Sequence, residues 1–140
     1  MKPIEILLVE DNPGDARLTT DAFKEGRIIN NMHVVKDGQE AMDYLNHQGA
    51  HAGSVRPDIV LLDLNLPKKS GLEVLKEIKA DPQLKTIPVV ILTTSASDKD
   101  ILSAYENYVN CYIRKPVDFN DFIVVVTKIE DFWLSIVPPQ

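Results

Sequence analysis

The sequence contains only one cysteine, Cys111, so no disulfide can form within the chain. A single cysteine fits a protein of a reducing compartment. Long apolar runs are also absent: the longest, at residues 59–62, 89–92 and 122–126, fall far short of the ~20 residues of a membrane-spanning helix. The run at residues 6–9 is followed at once by two acidic residues, which excludes the apolar core of a signal peptide. We therefore expect a cytoplasmic protein with no membrane partner.

Positive charge is in deficit. The chain has 15 Lys and Arg residues against 21 Asp and Glu residues, which gives a net charge of -6. An acidic surface repels the phosphates of nucleic acids and of anionic lipids, so we expect neither as a partner. The 140 residues are 44% apolar and 26% charged, which is typical of one globular domain. We assign residues 1–140 to that single domain.

Short apolar segments alternate with amphipathic segments along the chain. Strands are predicted over residues 4–9, 32–35, 58–62, 87–92 and 111–113. Helices are predicted over residues 13–25, 37–45, 70–81, from 97 or 98 to 105, and over 118–133. Three of the strands are nearly continuous Val, Ile and Leu, as required where helices cover both faces of a sheet. The alternation predicts an α/β fold with a parallel sheet between two layers of helices.

The segment at residues 122–126, Phe-Ile-Val-Val-Val, has the composition of a strand. Apolar residues nevertheless recur at helical spacing from Phe122 to Trp133, and this periodicity favours a helix. Residues 122–126 are apolar on nearly every side of that helix, which is typical of a helix that packs on more than its own sheet. We therefore expect the segment from about 118 to 140 to form a homodimer surface, the alternative being a helix well buried in the monomer.

Polar residues follow the predicted strands, where the carboxyl ends of parallel strands form one crevice. They are Glu10 and Asp11 after the first strand, Asp63 after the third, Thr93 after the fourth and Lys115 after the fifth. Taken singly, each is an ordinary strand-end residue facing water. Together, three carboxylates repel one another unless a cation lies among them, and oxygen ligands suit Mg²⁺. A carboxylate, a metal, a hydroxyl and a lysine around one point are the requirements of phosphoryl transfer.

The chain resembles the receiver domain of two-component response regulators. Four motifs carry the resemblance, in the family's order and spacing: Leu-Leu-Val-Glu-Asp-Asn at 7–12, Leu-Leu-Asp-Leu-Asn-Leu-Pro at 61–67 with Gly71 following, Leu-Thr at 92–93 and Lys-Pro at 115–116. The resemblance implies a flavodoxin-like, doubly wound, five-stranded parallel sheet with strand order 2-1-3-4-5 and helices on both faces.

The resemblance also implies a role for each motif residue. Asp63 accepts a phosphoryl group from a phosphohistidine on a sensor histidine kinase. Glu10, Asp11 and Asp63 hold Mg²⁺ together with the main-chain carbonyl of Asn65, and Lys115 pairs with the phosphoryl group. Such a protein is a signalling phosphoacceptor rather than an enzyme, because it catalyses only its own phosphorylation and dephosphorylation.

Two further residues match the family's conformational switch. The Thr93 hydroxyl turns toward the phosphoryl group after transfer, and the Tyr112 ring then moves inward, although its spacing alone is that of a half-buried aromatic on an edge strand. The Lys115–Pro116 bond resembles the family's cis peptide. Glu10 stands where many relatives have Asp, which keeps the charge but adds one methylene group. Thr94 is bulkier than the Ala or Gly of many relatives, and from this bulk we expect slow loss of the phosphoryl group.

We expect no effector domain, because the sequence ends soon after the fifth predicted helix. We expect it to act by binding a downstream protein target or by passing its phosphoryl group to a phosphotransfer protein. The run at residues 92–95, the long loop at 46–57 and the aromatic C-terminal segment resemble single-domain regulators that partner phytochrome-type histidine kinases.

Other functions with the same fold remain open. A pseudo-receiver would be an interaction module without phosphorylation, but such modules typically lack an acidic residue or the lysine. A flavodoxin would need uncharged donors in the first loop, where this chain has Glu10 and Asp11. An aspartyl phosphatase usually carries a second Asp two residues after its nucleophile; Asn65 occupies that position and cannot shuttle a proton.

Overall fold

Strands and helices alternate along the whole chain in the computed structural model, which describes residues 2–95 and 97–137. The strands are β1 (Ile4–Val9), β2 (Asn30–Val35), β3 (Ile59–Leu62), β4 (Val89–Thr93) and β5 (Cys111–Arg114). The helices are α1 (Pro13–Lys24), α2 (Gly38–Leu45), α3 (Gly71–Ala80), α4 (Asp98–Glu106) and α5 (Phe119–Ile136). The predicted order of elements is confirmed.

The five strands form one parallel sheet in the order β2-β1-β3-β4-β5, as the resemblance implied. Val9, the last residue of β1, is level with Leu62 of β3, and Thr93 of β4 is level with Arg114 of β5. This register brings the residues that follow the strands to one edge of the sheet. The fold thereby gathers residues that lie up to about a hundred positions apart in the sequence.

Helices cover both faces of the sheet, which explains the nearly continuous apolar composition of its strands. Along β1, Leu7 and Val9 join the core on the side of α2, α3 and α4. Ile6 and Leu8 join the core on the side of α1 and α5. Because successive side chains of a strand point to opposite faces, a central strand must be apolar at every position.

Each α-helix begins at a residue whose side chain accepts a hydrogen bond from a backbone N–H of the first turn. These capping residues are Asn12, Asp37, Ser70, Ser97 and Asp118. Such caps satisfy donors that have no partner inside the helix and determine where the preceding loop must end. The loops that carry the candidate site are therefore held at their helical ends as well as at the sheet.

The segment at 122–126 is helical, as its periodicity predicted, despite its β-branched composition. Phe122, Val126 and Ile129 are buried against α1 and the sheet, so packing outweighs local propensity. The buried carboxylate of Glu130 accepts a hydrogen bond from the Ile28 backbone N–H at 2.8 Å and thereby ties α5 to the segment before β2.

Strand boundaries differ slightly from prediction. β4 begins at Val89 rather than at residue 87 because Pro88 has no N–H to donate to the sheet. The long loop at 46–57 contains one turn of 3-10 helix, Gly49–His51. None of the helices within the described residues combines the length and apolar character needed to cross a membrane.

Candidate functional site

The polar residues that follow the strands meet at the carboxyl edge of the sheet. Glu10 follows β1, Asp63 follows β3, Thr93 ends β4 and Lys115 follows β5, and all four are buried. Asp11 lies next to Glu10 and is exposed. The site therefore has a buried interior and an acidic rim that solvent can reach.

Lys115 is the centre of the cluster. Its Nζ lies 2.5 Å from Glu10 Oε1, 3.0 Å from Asp63 Oδ2 and 3.0 Å from Asp15 Oδ2. An ammonium group has three protons, so each of these carboxylates can accept one. The lysine is thus held by three elements at once, which fixes its position beside Asp63.

The Asp63 carboxylate is held by two further donors. The Thr93 hydroxyl donates to Asp63 Oδ1 at 2.8 Å, and the Asn65 backbone N–H donates to the same oxygen at 3.2 Å. The Thr93 hydroxyl thus faces the Asp63 carboxylate. The two donors that the resemblance assigns to the phosphoryl group, on Thr93 and Lys115, are both in contact with Asp63.

Three carboxylates form a group that could hold a metal ion. Oxygen atoms of Glu10, Asp11 and Asp63 all lie within 4.8 Å of one another. Oxygen donors without nitrogen or sulfur fit a hard divalent cation, and a small number of protein ligands leaves positions for water or phosphate oxygens. The residues present fit a divalent metal site.

The protonation equilibria of Glu10 and Lys115 reflect their burial and the hydrogen bond between them. Burial raises the pKa of Glu10 to about 7, although its hydrogen bond with Lys115 acts in the opposite direction. For Lys115, burial disfavours the charged form, but the hydrogen bonds to Glu10 and Asp63 outweigh it, so the pKa lies above its ordinary value. Since the carboxylates of Glu10, Asp11 and Asp63 lie together beside the one positive charge of Lys115, a bound cation would relieve the remaining repulsion.

Tyr112 connects β5 to the loop between β4 and α4. Its half-buried ring packs against the core on the α3 and α4 side, and its hydroxyl donates to the Ser95 backbone carbonyl at 2.9 Å. Ser95 Oγ in turn donates to Asp100 on α4 at 2.5 Å. The tyrosine is therefore in physical contact with the loop that follows Thr93.

One expectation is wrong: no cis peptide bond occurs among residues 2–95 and 97–137, so the bond between Lys115 and Pro116 is trans. The trans form is the lower in energy for most X–Pro bonds. Lys115 is instead aimed by its three carboxylate partners and by its backbone N–H, which donates to the Thr93 carbonyl.

Sequence reasoning missed Asp15 as a site residue. An acid in the first turn of a helix suits the positive end of the helix, and this local role of Asp15 gives no indication of a contact with Lys115. Its contact with Lys115 joins residues a hundred positions apart, and only the tertiary structure brings the Lys115 ammonium to the first turn of α1. The sequence indicates the role of Asp15 only through its position, four residues after Asp11.

The fold and the site define a class: doubly wound α/β proteins with an acidic, metal-compatible pocket around one aspartate and one lysine at the carboxyl edge of the sheet. A profile of the response regulator receiver domain matches residues 6–127 of the chain. The chain belongs to the family of response regulator receiver domains, and its function is that of the phosphoacceptor in a two-component system.

Relatives match over nearly the full length. Response regulator Rcp1 of Synechocystis sp. is 48% identical over 96% of this chain and 92% of its own length. The crystal structure of the phosphorylated cyanobacterial phytochrome response regulator RcpA superimposes with a TM-score of 0.91, at 48% identity and 98% coverage of both chains. The Mn²⁺-bound form of Rcp1 superimposes with a TM-score of 0.89, at 47% identity and 99% coverage of both chains.

Proposed function

We propose that the chain accepts a phosphoryl group on Asp63 from the phosphohistidine of a phytochrome-type sensor histidine kinase. The observation that carries this proposal is the placement of the Asp63 carboxylate between the Lys115 ammonium and the Thr93 hydroxyl, with two more carboxylates within 4.8 Å. The phytochrome link comes from RcpA, which is a cyanobacterial phytochrome response regulator.

The chemistry requires little of the protein beyond positioning. One oxygen of the ionised Asp63 carboxylate attacks phosphorus while the bond from phosphorus to the histidine nitrogen breaks, and the imidazole keeps the electron pair. The carboxylate needs no general base because it has no proton to lose. Lys115 and Thr93 donate hydrogen bonds toward the oxygens that carry the transferred charge.

A divalent metal completes the site, and we assign it as Mg²⁺. Glu10, Asp11 and Asp63 would hold it with the main-chain carbonyl of Asn65. When bound, it supplies positive charge that offsets the repulsion between the carboxylates and the phosphoryl oxygens. The Mn²⁺-bound form of Rcp1 shows that a similar protein takes a divalent ion.

Phosphorylation would change the surface of the protein through the contacts of Thr93 and Tyr112. A phosphoryl group on Asp63 would draw the Thr93 hydroxyl away from the carboxylate, and the loop that follows carries the Ser95 carbonyl bound by Tyr112. The changed surface would be read by a downstream protein target or a phosphotransfer protein. The complete set of acidic residues and the lysine speak against a pseudo-receiver without phosphorylation.

The phosphoacceptor role can be tested by intact mass after incubation with Mg²⁺ and acetyl phosphate. The wild type should gain the mass of one phosphoryl group, and the gain should disappear in Asp63→Asn and under chelation. Asp43→Asn, a like change on α2, is the control and should be phosphorylated as the wild type is. A full gain in Asp63→Asn would show that another residue is the acceptor.

Thr94, which follows Thr93 at the mouth of the site, is exposed. Its bulk should hinder attack by water on the phosphorylated residue, so Thr94→Ala is expected to lose its phosphoryl group severalfold faster than the wild type. The decay is followed by intact mass after the donor is removed. Equal decay rates in the two proteins would show that Thr94 does not slow hydrolysis of the phosphorylated residue.

The homodimer surface from about 118 to 140 remains part of the proposal; residues 138–140 lie outside the described residues. Phe119 and Ile123 are partly buried in the core, whereas Val124, Leu134 and Ile136 of α5 are largely exposed. Exposed apolar side chains repeated along one helix favour association with a second copy.

Sedimentation velocity over a range of concentrations, with and without phosphorylation, tests the dimer. The wild type should show a dimer that Val124→Asp together with Leu134→Asp reduces at least about tenfold in association constant, because two buried charges oppose the contact. Val55→Asp, at an equally exposed apolar residue in the 46–57 loop, is the control. A monomer at high concentration in both states would refute the interface.

A further inference from the structure

We propose that Asp15 is a positioning residue that holds the Lys115 ammonium and selects against small anionic phosphoryl donors. This inference rests on the proposed phosphoacceptor function of Asp63. Asp15 Oδ2 lies 3.0 Å from Lys115 Nζ, the same distance as Asp63 Oδ2. The reaction needs the acceptor, the metal ligands and the lysine, but none of these roles belongs to Asp15.

The start of α1 holds Asp15 in place. Its backbone N–H donates to the capping side chain of Asn12 at 3.0 Å, and its carbonyl accepts the Thr19 hydroxyl at 2.8 Å. These bonds fix the backbone of Asp15, so its short side chain can place the carboxylate only within a small volume. Lys115 is therefore paired with an acid whose backbone is held in place.

Among the three carboxylates that bind Lys115, Asp15 is the most exposed. Its side chain is 30% exposed, against 3% for Glu10 and 9% for Asp63. A phosphoryl donor must approach Asp63 from solvent, and Asp15 contributes a negative charge on that accessible side. Glu10 and Asp63 are needed inside the site, whereas the charge of Asp15 acts chiefly on the phosphoryl donor as it enters from solvent.

All three protons of the Lys115 ammonium are engaged by carboxylates. A phosphoryl oxygen can accept from Lys115 only if one of these bonds is exchanged. Because Asp15 competes for one proton and repels the donor's oxygens, it weakens binding of the donor. For unit charges about 4 Å apart that are screened as in bulk water, the penalty corresponds to about three- to tenfold in affinity.

The repulsion by Asp15 weakens the binding of some phosphoryl donors more than that of others. A small donor such as acetyl phosphate binds through its phosphoryl group alone, so the repulsion is not offset elsewhere. A phosphohistidine carried by a protein brings binding energy from its own surface, which can offset a local repulsion. Asp15 thereby favours a protein donor over free metabolites that carry an activated phosphoryl group.

The donor selection is tested by initial rates of phosphorylation, measured by intact mass at saturating Mg²⁺. In Asp15→Asn the half-saturating concentration of acetyl phosphate should fall about three- to tenfold with the maximal rate nearly unchanged, as expected when a uniform repulsion is removed. The fall should be smaller with phosphoramidate, which carries less negative charge. Asp15→Glu keeps the charge and should lower the half-saturating concentration less than Asp15→Asn does.

Asp21→Asn is the matched control. Asp21 lies on the same helix and pairs only with exposed Arg17 and Lys24, so its removal changes net charge equally without touching Lys115. Its half-saturating concentration should equal that of the wild type. An unchanged value in Asp15→Asn, or an equal shift in Asp21→Asn, would overturn donor selection.

Positioning has a readout that does not depend on the reaction. In metal-free protein, the ¹H–¹⁵N signal of the Lys115 ammonium, assigned by its absence in Lys115→Met, should exchange faster with water in Asp15→Ala. It should persist in Asp21→Asn. Unchanged exchange in Asp15→Ala would overturn positioning. If the wild type accepts no phosphoryl group, the proposed function and donor selection both fall, while the ammonium signal still decides positioning.

Discussion

Replacing Lys115 by methionine is expected to slow phosphorylation by acetyl phosphate at least about a hundredfold, the scale of losing a charged donor at a transferring group. The same change should lower the free energy of unfolding of the metal-free protein by about 3 to 5 kcal/mol. The reason is that Glu10 and Asp63 are buried and lose the ammonium group that contacts both. Removing one member of a buried ion pair leaves uncompensated charge in the interior.

Two measurements check this expectation: urea unfolding at neutral pH and initial rates followed by intact mass. Lys128→Met, an exposed site on α5, carries the same charge change and should alter both values little. Mg²⁺ should raise the Tm of Lys115→Met more than that of the wild type, because the ion meets less competing positive charge. Equal stability of Lys115→Met and Lys128→Met without metal would contradict the ion-pair account.

Gly71→Ala should produce the second large effect, a loss of about 3 kcal/mol in the free energy of unfolding together with reduced phosphorylation. Gly71 is the first residue of α3 and lies against the segment that follows β3. A Cβ at this position would stand 2.1 Å from the Asp63 carbonyl oxygen and 2.7 Å from the Leu64 Cα. These are backbone atoms, so the methyl group can be accommodated only by moving the acceptor residue or the helix.

Gly53→Ala is the control for this change, since a Cβ there would meet no atom within 4 Å. Thermal unfolding and initial rates of phosphorylation should separate the two variants, with Gly53→Ala close to the wild type. A Gly71→Ala protein as stable and as active as Gly53→Ala would show that the contact between α3 and the acceptor loop is loose.

The hydrophobic pattern of the sequence was sufficient to predict most of the fold. The nearly continuous apolar runs of β1, β3 and β4 predicted central parallel strands, because only burial on both faces tolerates such composition. The segment at 122–126 needed periodicity over a longer stretch, since its local composition favours a strand. Strand limits were less predictable where a particular backbone group decides them, as Pro88 does for β4.

The candidate site was predictable where its residues directly follow strands. Glu10, Asp11, Asp63, Thr93 and Lys115 could be placed together because parallel strands end at one edge, whatever the detailed packing. Asp15 could not, since its contact depends on the direction in which α1 leaves the sheet. The geometry of the Lys115–Pro116 bond likewise escaped prediction, because the energy difference between the two isomers is small enough for tertiary contacts to decide.

The amino-acid order alone determined the alternation of elements, the parallel sheet and the set of polar residues at its edge, since these follow from local pattern and from the rules of chain connection. Only the tertiary structure decided which acids share the Lys115 ammonium, that Thr93 already bonds to Asp63, and which side chains of α5 stay exposed. Distances of a few ångströms between groups far apart in sequence result from the packing of whole helices on the sheet, and no local pattern encodes them.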